Sequence, residues 1–123
     1  MIEKYYKYKL DHKDSIIFID VGSFYETLDN DALIINKIFN YKITLFSSLL
    51  KVGFPKSKID DIKEKLNELK INYYVINQEE IKEFLNNKYN EYKFDNQVVY
   101  YKLMKINSIT KKIVIYWYWK DKY

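Results

Sequence analysis

The chain has 123 residues, 48% of them apolar and 31% charged, which suits one domain with a single core and excludes a disordered chain. Cysteine is absent, excluding a disulfide framework and a thiolate metal site, while 21 basic residues (every one a lysine) against 17 acids leave a net charge of +4. No apolar run approaches the roughly 20 residues needed to cross a bilayer, and the polar opening "MIEKYYKYKL" is unlike a signal peptide, so an intracellular, cytoplasmic protein with no membrane partner is expected. Lysine, Ile, Asn and Tyr share A/T-rich codons, and genome composition accounts for much of the basicity. The lysine excess permits phosphate contacts; the missing arginine removes bidentate guanidinium reading of guanine.

In chain order, "YYKYKLDHK" (5–13) reads as a short helix and "SIIFIDV" (15–21) as a buried strand, followed by turn residues Gly22 and Ser23. "NDALIINKIF" predicts a helix capped by Asn30 or Asp31, with Leu33, Ile34 and Ile38 inward. "KITLFSSLL" is a second strand candidate ending near "VGFP". Ser57 and Asp60 form a capping-box-like start to the clearest helix, in which Ile59, Ile62, Leu66 and Leu69 recur at helical spacing. "INYYVIN" (71–77) reads as a third strand and "EEIKEFLNNKY" (79–89) as a helix with Ile81, Phe84 and Leu85 on its apolar side. Two β-rich runs, "QVVYYKLMKI" and "KKIVIYWYW", predict a closing hairpin over 98–119. The order implies an α/β (α+β) domain over 1–123, a mixed β-sheet packed with helices.

Little catalytic chemistry is visible. His12 is the sole histidine, in the polar segment "LDHKD", with no serine placed beside it by any motif. The only two glycines, Gly22 and Gly53, belong to no phosphate loop or dinucleotide fingerprint. Asp20 and Glu26 with a lysine could hold Mg²⁺ at strand ends, but that spacing is loose and common. The reading is of a protein that is not an enzyme and has no cofactor or metal.

The segment "KYYKYKLDHKDSIIFIDVGSFYETLDNDALIINKIFNYKIT" resembles the start of the MutS DNA mismatch-repair family. That family's N-terminal mismatch-recognition domain (domain I) carries a Gly-Asp-Phe-Tyr-Glu motif after an apolar strand, then an acidic pair with Ala. Gly22, Phe24, Tyr25 and Glu26 match the motif, and Asp31-Ala32 the segment after it. "VGFPKSKIDDIKEKLNELKINYYVI" is similar to the family's Gly-hydrophobic-Pro turn, helix and strand, with Gly53, Phe54 and Pro55 on the turn. The resemblance runs from about residue 5 to about 78. It implies Phe24 as a minor-groove wedge that stacks on a mispaired or unpaired base, and Glu26 as the acid that hydrogen-bonds that base. Lys51, Lys56 and Lys58 would then contact phosphates.

The sequence departs from the family pattern at Ser23, which stands for the usual acid, and at "LFSSLLK", which replaces a basic segment. The connector, lever, clamp and ATPase domains have no counterpart in these residues, so a stand-alone, ATP-independent accessory module is expected, binding mismatched or bulged duplex DNA weakly. A polymerase or reverse transcriptase is a possible protein partner. Tyr25 is expected in the core; Phe24 could be presented to solvent or pack under the following helix. Tyr116, Trp117, Tyr118 and Trp119 suggest an alternative, a protein-interaction adaptor built on the same fold, or a surface that stacks single-stranded bases.

Overall fold

A computed structural model describes residues 2–46 and 49–93. The expected hairpin over 98–119, with Tyr116, Trp117, Tyr118 and Trp119, lies outside the described residues.

Helix α1 (Ile2–Asp11) leads into β1 (Ile16–Val21), which turns into β2 (Phe24–Leu28) and then α2 (Asp29–Phe39). Strands β3 (Thr44–Phe46) and β4 (Leu49–Pro55) follow, then a 3-10 turn at Lys56–Lys58, α3 (Ile59–Leu69), β5 (Tyr73–Val75), a second 3-10 turn, β6 (Glu80–Lys82) and α4 (Tyr89–Tyr92). The six strands form one mixed sheet in the order β3-β4-β2-β1-β5-β6, in which β1 and β5 are the parallel pair and the other neighbours are antiparallel. The fold class expected from sequence, a mixed sheet packed with helices, is the one observed.

Side-chain alternation divides the sheet into two faces. On one, Ile16, Phe18, Tyr25, Val52, Phe54, Tyr73 and Val75 pack with Ala32–Ile35 of α2 and with Ile59, Ile62 and Leu66 of α3. On the other, Ile17, Ile19, Leu28 and Tyr74 meet Tyr5 of α1, flanked by Ile2, Tyr6 and Tyr8. Both α2 and α3 stop on a left-handed residue, Asn40 and Lys70. At the end of α3, Lys70 donates to the Asn67 carbonyl and Ile71 to the Leu66 carbonyl, a Schellman close that delivers buried Ile71 into the core.

One polar cluster ties these layers together. The Asp31 carboxylate is 1% exposed and accepts hydrogen bonds from Lys9 Nζ (2.8 Å), the Ile17 amide (3.1 Å), the Tyr89 hydroxyl (2.6 Å) and, closest of all, the Tyr5 hydroxyl. Lys9 also donates to the Ser15 carbonyl at 2.6 Å. The β1–β2 pairing covers Ile19–Val21 with Phe24–Glu26, and below it Ile17 donates to a side chain, Asp31, instead of to β2. The carboxylate thus closes the place where the two strands separate. Burial, then the nearby Asp31 charge, hold the Tyr5 and Tyr89 hydroxyls well above the ordinary tyrosine range, so both stay protonated donors.

Several sequence expectations are corrected. Asp31 and Asn30 do not cap α2: its N-cap is Leu28, which offers no side-chain bond, and the Asp31 carboxylate is committed to the buried cluster. The run "KITLFSSLL" is not one strand but parts of two, paired through Phe46 and Leu49. Gly53, Phe54 and Pro55 lie in β4 rather than on a turn. α3 begins after Lys58 without a Ser57 cap bond, because the 3-10 turn already supplies the entry. The helix expected over 79–89 is an edge strand and an irregular segment. There, asparagine side chains satisfy the backbone in place of a helix ladder: Asn72 Oδ1 accepts from Phe84 N (2.7 Å), and Asn87 Oδ1 from Asn72 N (2.9 Å) and Tyr89 N (3.1 Å). Its supposed apolar side is open, with Ile81 46% and Leu85 101% exposed.

Asp31→Ala should destabilise the fold by about 3–5 kcal/mol in urea denaturation, because it leaves the Lys9 ammonium unpaired beside two buried hydroxyls. Stability should also fall as pH rises above about 10, since unfolded tyrosines release protons that folded Tyr5 and Tyr89 keep. That alkaline loss, followed by denaturant midpoint against pH, should shrink in Tyr5→Phe.

Candidate nucleic-acid interface

The candidate site starts from a two-residue hairpin. Val21 and Phe24 are cross-strand partners, so Gly22 and Ser23 alone make the turn. Gly22 has φ +62°, and a Cβ there would meet nothing within 4 Å. Glycine is therefore required by backbone conformation rather than by space, as the primed hairpin turns demand. On its other side Phe24 pairs with Pro55, and the Ser23 carbonyl accepts from Lys56 N at 3.0 Å. The phenylalanine stands on a strand held from both edges.

Alternation then sorts the motif. Tyr25 is 2% exposed, with its ring centroid 6.0 Å from that of Phe54, and its hydroxyl accepts from Gln78 Nε2 at 3.1 Å. Phe24 is 45% exposed and points to the opposite face. Glu26, two residues on, shares the Phe24 face and pairs in register with Gly53. Beyond the cover of α1, this face carries exposed Val21, Phe24, Gly53 and Pro55 and the half-buried Glu26 and Lys51. It is an open, shallow platform with one standing aromatic ring and one carboxylate.

The three expected lysines separate. Lys51 lies on the platform, its Nζ 3.4 Å from Glu26 Oε2 and 5.1 Å from the centre of the Phe46 ring. Lys56 turns to the other side of the sheet, ion-paired with Asp20, its Nζ 5.6 Å from the Tyr25 ring centre. Lys58 is exposed in the 3-10 turn after β4. Asp20 lies opposite Tyr25, whereas Glu26 lies opposite Ile19, so the two carboxylates face opposite sides of the sheet. Register therefore rules out the Mg²⁺ arrangement of Asp20 with Glu26, and among the described residues no group of three or more His, Asp or Glu side chains could hold a metal. His12 rests its ring against Tyr74, centroids 4.8 Å apart.

Sequence reasoning missed two features here. It read Lys51 as a phosphate contact and so overlooked its pairing with Glu26. It also placed Gly53 on a turn, whereas Gly53 leaves the space beside the Glu26 carboxylate open. Both depend on the β2–β4 register, for which the apolar pattern of "LLKVGFP" carried no signal.

The family model described as MutS domain I matches residues 1–113, well past the stretch that carried the resemblance. Among curated relatives, the DNA mismatch repair protein MutS of Fervidobacterium nodosum is 35% identical over 66 residues, 54% of this chain and 8% of that protein. MutS of Thermotoga petrophila is 32% identical over 68 residues (55% of this chain, 9% of that protein), and MutS of Borreliella burgdorferi 36% over 55 (45% and 6%). The aligned stretches thus span less than a tenth of these relatives. Among the described residues, no helix is long and apolar enough to cross a membrane.

The two aromatics of the motif should separate cleanly on substitution. Tyr25→Ala should cost about 3–5 kcal/mol of stability, and Phe24→Ala no more than about 1 kcal/mol, by parallel denaturation curves. Equal losses would mean that Phe24 is a core residue.

Proposed function

Since this chain belongs to the MutS domain I family, the mismatch-recognition domain of MutS, we propose that it is a non-catalytic DNA-binding module that senses mispaired or bulged duplex. Phe24 is the wedge and Glu26 the base-contacting acid. The observation that carries this reading is the half-exposed Phe24 ring on a strand braced at both edges. A wedge must replace the base stacking that it disrupts, and a rigid support avoids the cost of ordering it on contact. A mispaired or unpaired step costs less to open than a paired one, so discrimination arises from deformability rather than from reading base letters. Without arginine forks the backbone term falls to lysines, with exposed Lys58 the readiest to meet phosphates and Lys56 able to follow once it leaves Asp20.

The test is a titration of a G·T mismatch, a one-base bulge and a matched duplex, at low and moderate salt, with wild type and Phe24→Ala. Dissociation constants of about 10⁻⁴–10⁻⁶ M are expected for matched duplex. The mismatch and bulge should bind roughly tenfold tighter, as about 1–3 kcal/mol of stacking per base allows, with that preference lost in Phe24→Ala. Equal affinity for all three duplexes, unchanged by the substitution, would overturn the reading.

A further inference from the structure

We propose that Lys51 is the counter-ion and positioning residue of Glu26, so that the glutamate meets DNA as one half of a neutral pair. The inference rests on the reading above and assigns Lys51 a role other than phosphate contact.

Register makes the pair possible. Glu26 lies opposite Gly53, and Leu28 opposite Lys51, so Lys51 is the next residue of β4 on the Glu26 face. Gly53 has no side chain to intervene; a Cβ there would sit 3.5 Å from Glu26 Cγ and 3.6 Å from Oε2. The Lys51 Nζ reaches the same Oε2 at 3.4 Å. From the next strand, the Phe46 ring centre lies 5.1 Å from that ammonium. Gripped by a carboxylate and an aromatic face, the Lys51 side chain is only 25% exposed, and Glu26 13%. A lysine that tracks phosphates is normally a long, mobile, solvated arm; this one is held on its own strand.

The chemical consequence concerns repulsion. A bare carboxylate on a DNA-facing platform opposes every phosphate near it, and a cation a few ångströms away offsets that opposition. With Oε2 paired to Lys51, Oε1 is the atom presented to the base. An ion-paired carboxylate only accepts hydrogen bonds, so it requires an N–H from the displaced base, such as the N3–H of an unpaired thymine. Bases in matched A·T pairs show only acceptors in the minor groove, and Glu26 gains nothing there. Lys51 thereby lets the carboxylate approach DNA without supplying a phosphate contact itself.

A double-mutant cycle tests this on a duplex with one unpaired thymine, using Lys51→Met, Glu26→Gln, the double variant and Lys51→Arg, with circular dichroism to confirm folding. Lys51→Met should weaken binding about tenfold when Glu26 is present and less than about twofold in the Glu26→Gln background. Lys51→Arg should restore binding, and in the Glu26→Gln background Lys51→Met should leave the salt dependence unchanged. The same loss in both backgrounds, with the log–log salt slope reduced by about one, would make Lys51 a phosphate ligand and overturn the inference. No effect in either background would overturn it equally. Phe24→Ala in the same assay separates the two levels: if bulge binding depends on Phe24 while the Lys51 effect is the same with or without the Glu26 carboxylate, only the counter-ion role fails.

Discussion

The fold turns on one buried carboxylate. Asp31 collects a lysine, two tyrosine hydroxyls and a backbone amide from α1, β1 and α4 at the point where β1 and β2 part. Each of those donors would be costly to leave unmatched away from water, and the acid more so. The cluster is therefore cooperative: removing one member strands the others. A buried ion pair contributes little net stability compared with a well-packed apolar core, and what it can supply instead is a preference for one arrangement over its neighbours. Here the arrangement selected is the seating of α1 on one face of the sheet and α2 on the other, with the β1–β2 hairpin emerging between them. The upper end of that hairpin needs no further cover, because its shape is set by the Gly22 turn and by Pro55 on β4. Polar closure at one end permits an exposed platform at the other.

The platform consists of strand backbone rather than loop, which suits the wedge role proposed for Phe24. A ring on a mobile loop would be ordered only on binding, with that entropy charged against affinity. Phe24 is already placed, on a strand paired on both sides. The neighbouring Tyr25 has the opposite environment, packed against Phe54 with its hydroxyl bonded to Gln78. Of these adjacent aromatics, one anchors the strand in the core and the other is left open to solvent.

Much of the fold could be read from the sequence where periodicity is strong. The β-branched run before Gly22, the Ile59–Ile62–Leu66 spacing of α3 and the apolar block of α2 all declare themselves. What could not be read depends on pairing. β2 is five residues of mixed polarity whose alternation shows only once β1 and β4 flank it, and "KITLFSSLL" hides a hairpin because both strands are apolar. The 79–89 segment has a helical pattern, but side chains capture its backbone: Asn72, twelve residues away, takes Phe84 N, and Asn87 takes Tyr89 N. The candidate site follows the same division. The motif identified Phe24 and Glu26, but whether Phe24 faces solvent was undecidable without register, and the Lys51–Glu26 contact spans two strands that the sequence did not pair.

Register also makes the spacing of the motif consequential. Because side chains alternate with a period of two, a slip of one residue in β2 would bury Phe24, expose Tyr25 and turn Glu26 toward the α2–α3 face. Two features oppose that slip from opposite ends. Gly22 permits a two-residue turn that allows only one pairing of Val21 with Phe24, and Asp31 fixes Ile17 relative to the start of α2. Between them, Gly53 lies opposite Glu26, where a Cβ would come into ordinary contact with the carboxylate, 3.6 Å from Oε2. The site is therefore specified less by the chemistry of Phe24 and Glu26 than by the residues that keep them on the same side of the sheet.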